Sequence, residues 1–332
     1  TDQIAALSID QAEALSSVQV KALTSIQLAV LSAEAIETFS TADIASISSK
    51  AVSGLTTDVI SALSEQQIAA LTVGTVAKLS ATQVAALSVD QFTAMATAQI
   101  AALSATQITA ISTGTIAEFS TQQIAALGTA TVAKLSTVQI AALSEDQAEA
   151  LSSVQVKALT SSQIAAFSDS AIATFSTDDI AAISNRGIAG LTVENIAALT
   201  TGQIASLSTS AISNLGTDQI AALSVEQAEA LSSVQIKALS SKQLAALSPE
   251  AVATFTTAEI AAISSKGIGG LSSDAIAGLS ISQVAALGTG AIAKLSTTQI
   301  ASLSAEQADI LSTLQIAALT SKQLLALSPE AI

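Results

Sequence analysis

The sequence predicts an all-α protein, an α-solenoid of very short capped helices with one helix in each eight-residue repeat. Three observations predict it: apolar residues keep an unbroken octad phase, nearly every octad opens with a helix-start signature, and proline falls only where a helix start tolerates it.

The octad is the first of these. Leu7, Leu15, Leu23, Leu31, Phe39, Ile47, Leu55 and Leu63 stand eight apart, and their class stays apolar as far as Leu327. A second class, beginning Ile4, Ala12, Val20, Leu28, Ile36 and Ile44, is apolar through to Ile332. Spacings of three and five do not give the period of two that a strand needs. In one continuous α-helix, eight residues overshoot two turns by about 80°, so an apolar stripe of this period would wind off any fixed seam. A short helix followed by a change of direction satisfies both facts.

The start signature is S-x-x-Q. Ser or Thr follows the Leu class almost everywhere, with Ala96, Gly128, Gly216 and Gly288 as exceptions, and Gln is the commonest residue three places on, as at Gln11, Gln19 and Gln27. This is a capping box, and the apolar residues before the cap and at the fourth helical position have the spacing of a hydrophobic staple. Glycine is itself an acceptable cap. Pro249 and Pro329 both follow the capping Ser, at the first helical position, where a missing N–H costs nothing. Asp10, Glu34, Asp58, Asp90, Glu226, Glu250 and Glu306 take the second helical position, where the macrodipole favours an acid. Helices of about seven residues do not survive alone in water. Burying one Ile and one Leu per octad against neighbouring octads contributes roughly 1.5–3 kcal/mol each as an upper estimate.

Longer units overlie the octad. The stretch at 223–255 matches that at 143–175, ten octads earlier, whereas TVAKL recurs at 75–79 and 131–135 after only seven. The difference of three octads suggests three repeats per turn, a coil of 24 residues. No Pro/Gly-rich linker or charge block interrupts the phase, so residues 1–332 read as a single continuous octapeptide-repeat solenoid, and both ends read as cuts through a longer array.

Composition sets the function classes. Eleven Lys and Arg against 26 Asp and Glu give a formal net charge of −15, which argues against a nucleic-acid partner and against anionic lipid. Without His or Cys there is no Ser-His-Asp triad, thiolate chemistry, disulfide or common zinc site. A Ser or Thr in nearly every octad leaves no apolar run long enough to span a membrane. Ser-Lys pairs at Ser49–Lys50 and Ser265–Lys266 are read as helix starts with an exposed Lys. The carboxylate pairs Glu145–Asp146 and Asp178–Asp179 are read as first-turn residues serving dipole and solubility. The scattered acids match no calcium loop and allow only weak surface calcium binding. The Gly-rich KGIGGL at 266–271, with KAVSGL and RGIAGL in equivalent octads, lacks the P-loop ending; it is read as a close approach of neighbouring helices with locally weaker helix propensity. Phe39, Phe119, Phe167, Phe175 and Phe255 replace Leu in the core class, and Asn185, Asn195 and Asn214 start no glycosylation sequon. No catalytic, cofactor-binding or metal-binding residue is expected, and the chain is not expected to be an enzyme.

The octads STQQIAAL, SATQVAAL and STTQIASL resemble repeat regions of long bacterial surface and secreted proteins of the adhesin-like or hemagglutinin-like kind. The resemblance covers the whole chain and implies export to the medium or cell surface. It also implies a stalk or fibre role, and the uniform, weakly charged, Ala/Ser/Thr-rich outer face points first to a structural protein that self-associates into a filament, fibre or matrix. The alternatives are a stalk or binding module of an adhesin and, at a further remove, an ice- or surface-binding solenoid using rows of Ser and Thr. It carries over no site residues.

Overall fold

The computed structural model describes residues 1–327; Ser328, Pro329 and Ile332, which the repeat reading includes, lie outside them. All regular structure among the described residues is helical: 38 α-helices of four to six residues and three short 3₁₀ segments. Two compact units make up the chain, Thr1–Thr174 and Phe175–Ile332.

The helices begin as the capping signature dictates. Ser64, Ser80, Ser120 and Ser136 have extended backbone, accept the N–H of the Gln three residues on through the hydroxyl, and donate their own N–H to that Gln's Oε1. Where the cap is Ala96, only the second bond remains, Ala96 N–H to Gln99 Oε1 at 2.8 Å. Pro249 takes the first helical position behind Ser248.

The helices end sooner than the seven residues expected. The last turn tightens, so that Leu71 and Leu127 donate to the carbonyl three residues back, on Ile68 and Ile124. Both leucines are then extended (φ −57° and −59°), as are the caps Thr72 and Gly128 that follow them. Two consecutive extended residues therefore turn the chain. No described residue has positive φ, which is why the corners need no glycine.

Each turn of the solenoid takes three octads. In the first unit Ser17–Ala22 packs on Thr41–Ser46, Ala33–Glu37 on Thr57–Ala62, and Thr97–Ala101 on Thr121–Ala126. In the second, Thr177–Ala182 packs on Thr201–Ser206 and Ser233–Ala238 on Thr257–Ala262. Partners stand 24 residues apart. Away from the two ends of the described chain the Ile class is fully buried, as at Ile100, Ile140, Ile204 and Ile276, and the Leu class nearly so. The five Phe of the Leu class fill core positions, and Phe92 of the Ile class lies tilted against Phe119 with ring centroids 5.7 Å apart.

Three octads lose their α-helix. Val52–Gly54, Ile188–Gly190 and Ile268–Gly270 are 3₁₀. These are the KAVSGL, RGIAGL and KGIGGL octads, and in the first and third the neighbouring coil comes very near. A Cβ on Gly54 would stand 1.9 Å from the Ser25 carbonyl oxygen, and one on Gly270 1.9 Å from that of Ser241. Only a residue without a side chain lets the next coil come so near.

Candidate functional site

The most regular polar feature is one the sequence reading saw only in half. Gln at the third helical position is buried in most octads. Its Oε1 accepts the cap N–H of its own helix, and its Nε2 donates to carbonyls of the coil beneath. Gln83 bonds Val52 O at 2.9 Å and Leu55 O at 2.7 Å; Gln123 bonds Phe92 O and Met95 O, both at 3.0 Å. In the second unit Gln227 bonds Ile196 O at 2.9 Å and Leu199 O at 2.6 Å, and Gln243 bonds Ile212 O and Leu215 O at 2.8 and 3.0 Å. The carbonyl 28 residues back, on the residue that leaves a short helix, has no intrahelical partner left, while the one 31 back takes the amide as a second donor beside the N–H three residues on, as Val52 O does beside Leu55 N–H at 3.1 Å. One primary amide thus caps the start of one helix and the end of another.

The sequence did carry a signal for this. A capping box accepts Glu as readily as Gln, yet Glu stands at this position only at Glu259. A carboxylate can accept but has no hydrogen for the coil beneath. Where Thr replaces Gln, one of the bonds survives at two positions, Thr75 Oγ1 donating to Ile47 O at 3.2 Å and Thr131 Oγ1 to Leu103 O at 2.9 Å, while the Thr115 hydroxyl pairs with Ser112 Oγ of its own helix.

Asp43 and Asp179 take the same position and are both buried. Asp178 and Asp179 are both first-turn residues, as expected, but the solubility role is corrected for Asp179, because the third helical position faces the neighbouring coil while the second, with Asp178, faces outward. Asp43 accepts from Ser17 Oγ at 2.7 Å and from Ser40 N–H at 3.1 Å. Burial pushes its carboxyl up, but the Ser40 and Ser17 hydroxyls and the Ser40 N–H together hold it below its ordinary value. Glu34 and Glu226, exposed at the second helical position, are lowered by their own backbone N–H and by the cap hydroxyls of Ser32 and Ser224.

Other sequence candidates disperse over the surface. Ser49 and Lys50 are exposed. Glu145 and Asp146 are exposed first-turn residues lining a shallow cavity of about 420 Å³ with Ser144, Ser168 and Ser170. A second shallow cavity, about 450 Å³, is bordered by Glu37, Ser40, Ser64 and Gln67. A third, about 340 Å³, lies between Lys21 and Lys50. Among the described residues no three His, Cys, Asp or Glu are placed to hold a metal ion, and no helix is long and apolar enough to cross a membrane.

Comparison with known proteins agrees with the repeat reading. Residues 116–153, 172–209, 196–233, 229–257 and 252–289 match the model of the ALTTAQ repeat. A comparison with curated protein sequences gives no match. Among solved structures, the leucine-rich repeat-containing protein LegL7 from Legionella pneumophila is 13% identical over 77% of this chain and 83% of that one, with a TM-score of 0.21; at that level no argument rests on it. From the ALTTAQ matches and the stacked short helices, the chain is a repeat protein with an α-solenoid fold.

Proposed function

We propose that this chain is a non-catalytic structural protein that works outside the cell or on a bacterial surface, as an element of a filament, fibre or matrix. The observation that carries the reading is the glutamine ladder. Neighbouring coils within each unit are joined by core packing and also by amide bonds repeated at octad intervals, such as Gln139 to Ile108 O at 2.9 Å and to Ile111 O at 2.8 Å. Pulling neighbouring coils apart would strip partners from several buried carbonyls at once, each costly to leave unpaired. A repeat array in which every unit grips the next suits load bearing and spacing. The outward positions add isolated apolar side chains, Val18, Ile26, Val138 and Val154 in the first unit and Val234 and Leu314 in the second, all more than half exposed. These give lateral association its contacts. Its placement outside the cell rests on the resemblance of the octads to bacterial surface repeats.

Electron microscopy and sedimentation of the purified chain over a range of concentrations test this. Bundles or fibres that grow with concentration are the expected result. Single, unassociated solenoids at every concentration and ionic strength would overturn the filament reading and leave a stalk or spacer role.

A further inference from the structure

We propose that the cleft between Lys21 and Lys50, and its counterpart at Lys237 and Lys266, bind an oxyanion group, sulfate or phosphate. The first cleft is a cavity of about 340 Å³ whose lining includes Lys21, Thr24, Ser25, Ser48 and Lys50 and contains no carboxylate. The other two cavities described each carry acid: Glu37 in one, Glu145 and Asp146 in the other. In a chain with 26 acidic and 11 basic residues, a cavity with two cations and no acid stands apart. Two like charges lining one cavity repel, and within a Debye length of about 8–10 Å salt does not fully screen them. An anion between them turns that cost into attraction.

The hydroxyls suit the same ligand. Ser48 Oγ accepts the Ala51 N–H at 3.3 Å, which leaves its own hydrogen to donate. Ser25 adds a second O–H beside it. Two ammonium groups and two hydroxyls form a donor set matched to tetrahedral oxygens.

The layout is built twice. Ser241 and Ser264 repeat Ser25 and Ser48 in the second unit, each 216 residues further on, as Lys237 and Lys266 repeat the lysines. The backbone repeats as well. Gly54 meets the Ser25 carbonyl, and Gly270 that of Ser241, at the same 1.9 Å for an added Cβ. Ser264 Oγ accepts the Gly267 N–H at 3.0 Å, as Ser48 does for Ala51. The glycine-tightened octad thus lies against the coil whose serine lines the cleft, and in the first unit Lys50 lines the same cavity as Ser25. In sequence alone the same spacing of 29 appears again at Lys157 and Arg186.

Isothermal titration of the full chain with sodium sulfate and with inorganic phosphate, at constant ionic strength, tests the proposal, with a sulfated dextran as a parallel arm. Saturable binding is expected. Its stoichiometry should fall by two when Lys21→Ala, Lys50→Ala, Lys237→Ala and Lys266→Ala are combined. The control combines Lys78→Ala, Lys134→Ala, Lys294→Ala and Lys322→Ala, four exposed lysines outside the lining, and should keep the stoichiometry. Circular dichroism confirms that both variants fold. Binding of the sulfated dextran alone, lost in the first variant and kept in the control, supports the same cleft recognising a polymer-borne group. No saturable binding of any probe, or equal loss in both variants, would overturn the assignment.

Discussion

Gln122 and Gln123 stand side by side in one helix and allow the amide bridge to be weighed directly. Gln122 is exposed and Gln123 is buried. Gln123 accepts the Ser120 N–H at 3.0 Å and donates to the Phe92 and Met95 carbonyls. In Gln123→Ala the Met95 carbonyl loses its donor, while the Phe92 carbonyl keeps the Met95 N–H at 3.1 Å. An orphaned buried polar group costs about 1–3 kcal/mol, and losing the second bond to Phe92 O adds about 0.5–1.5 kcal/mol. Ser120 is exposed and its N–H can turn to water, and water entering the space left by the side chain recovers part of the loss for the carbonyls. The expected destabilisation is therefore about 1–3 kcal/mol. Gln122→Ala, a surface change, should stay within about 0.5 kcal/mol. Gln123→Thr should fall between, since Thr131 shows that a hydroxyl in this position keeps one inter-coil bond. Urea unfolding followed by far-ultraviolet circular dichroism measures all three. Amide exchange localises the effect, because opening should concentrate at the coils holding Phe92–Met95 and Ser120–Gln123. Equal stability of Gln123→Ala and Gln122→Ala would refute the bridge as a source of cohesion between coils.

Other perturbations follow from the same geometry. Gly270→Ala should cost more than about 3 kcal/mol in thermal unfolding, since its methyl carbon would overlap a backbone oxygen that cannot move aside. Gly128→Ser should stabilise by a few tenths to about 1 kcal/mol, because Gly128 already has extended cap dihedrals and a Cβ there meets nothing nearer than 3.6 Å. Ile140→Ala, at a fully buried position, should cost about 2–5 kcal/mol in the same assay. The pH dependence has a defined sign. Asp43, Glu34 and Glu226 have folded pKa values below the ordinary 3.8 and 4.5, so the unfolded chain binds more protons near pH 4. Their contribution is present above those ordinary values and is lost as pH falls through the depressed ones. Asp43→Asn should flatten the acid limb of a stability-versus-pH curve; an unchanged limb would remove Asp43 from the account.

Local chemistry decided most of the architecture in advance. The capping box, the proline behind the cap and the apolar period each report on a residue and its neighbours within one octad, and such short-range rules survive without knowledge of the coil. The three-octad turn left a trace too, in repeat units of ten and seven octads. Long-range partners left much less. Nothing within an octad states that a glutamine amide reaches carbonyls 28 and 31 residues earlier, that Asp179 is buried while Asp178 is exposed, or that Lys21 and Lys50 border one cavity. Those facts depend on which coil lies beneath which, and that stacking is set by the packing of the whole array, where side chains far apart in the chain compete to fill one core.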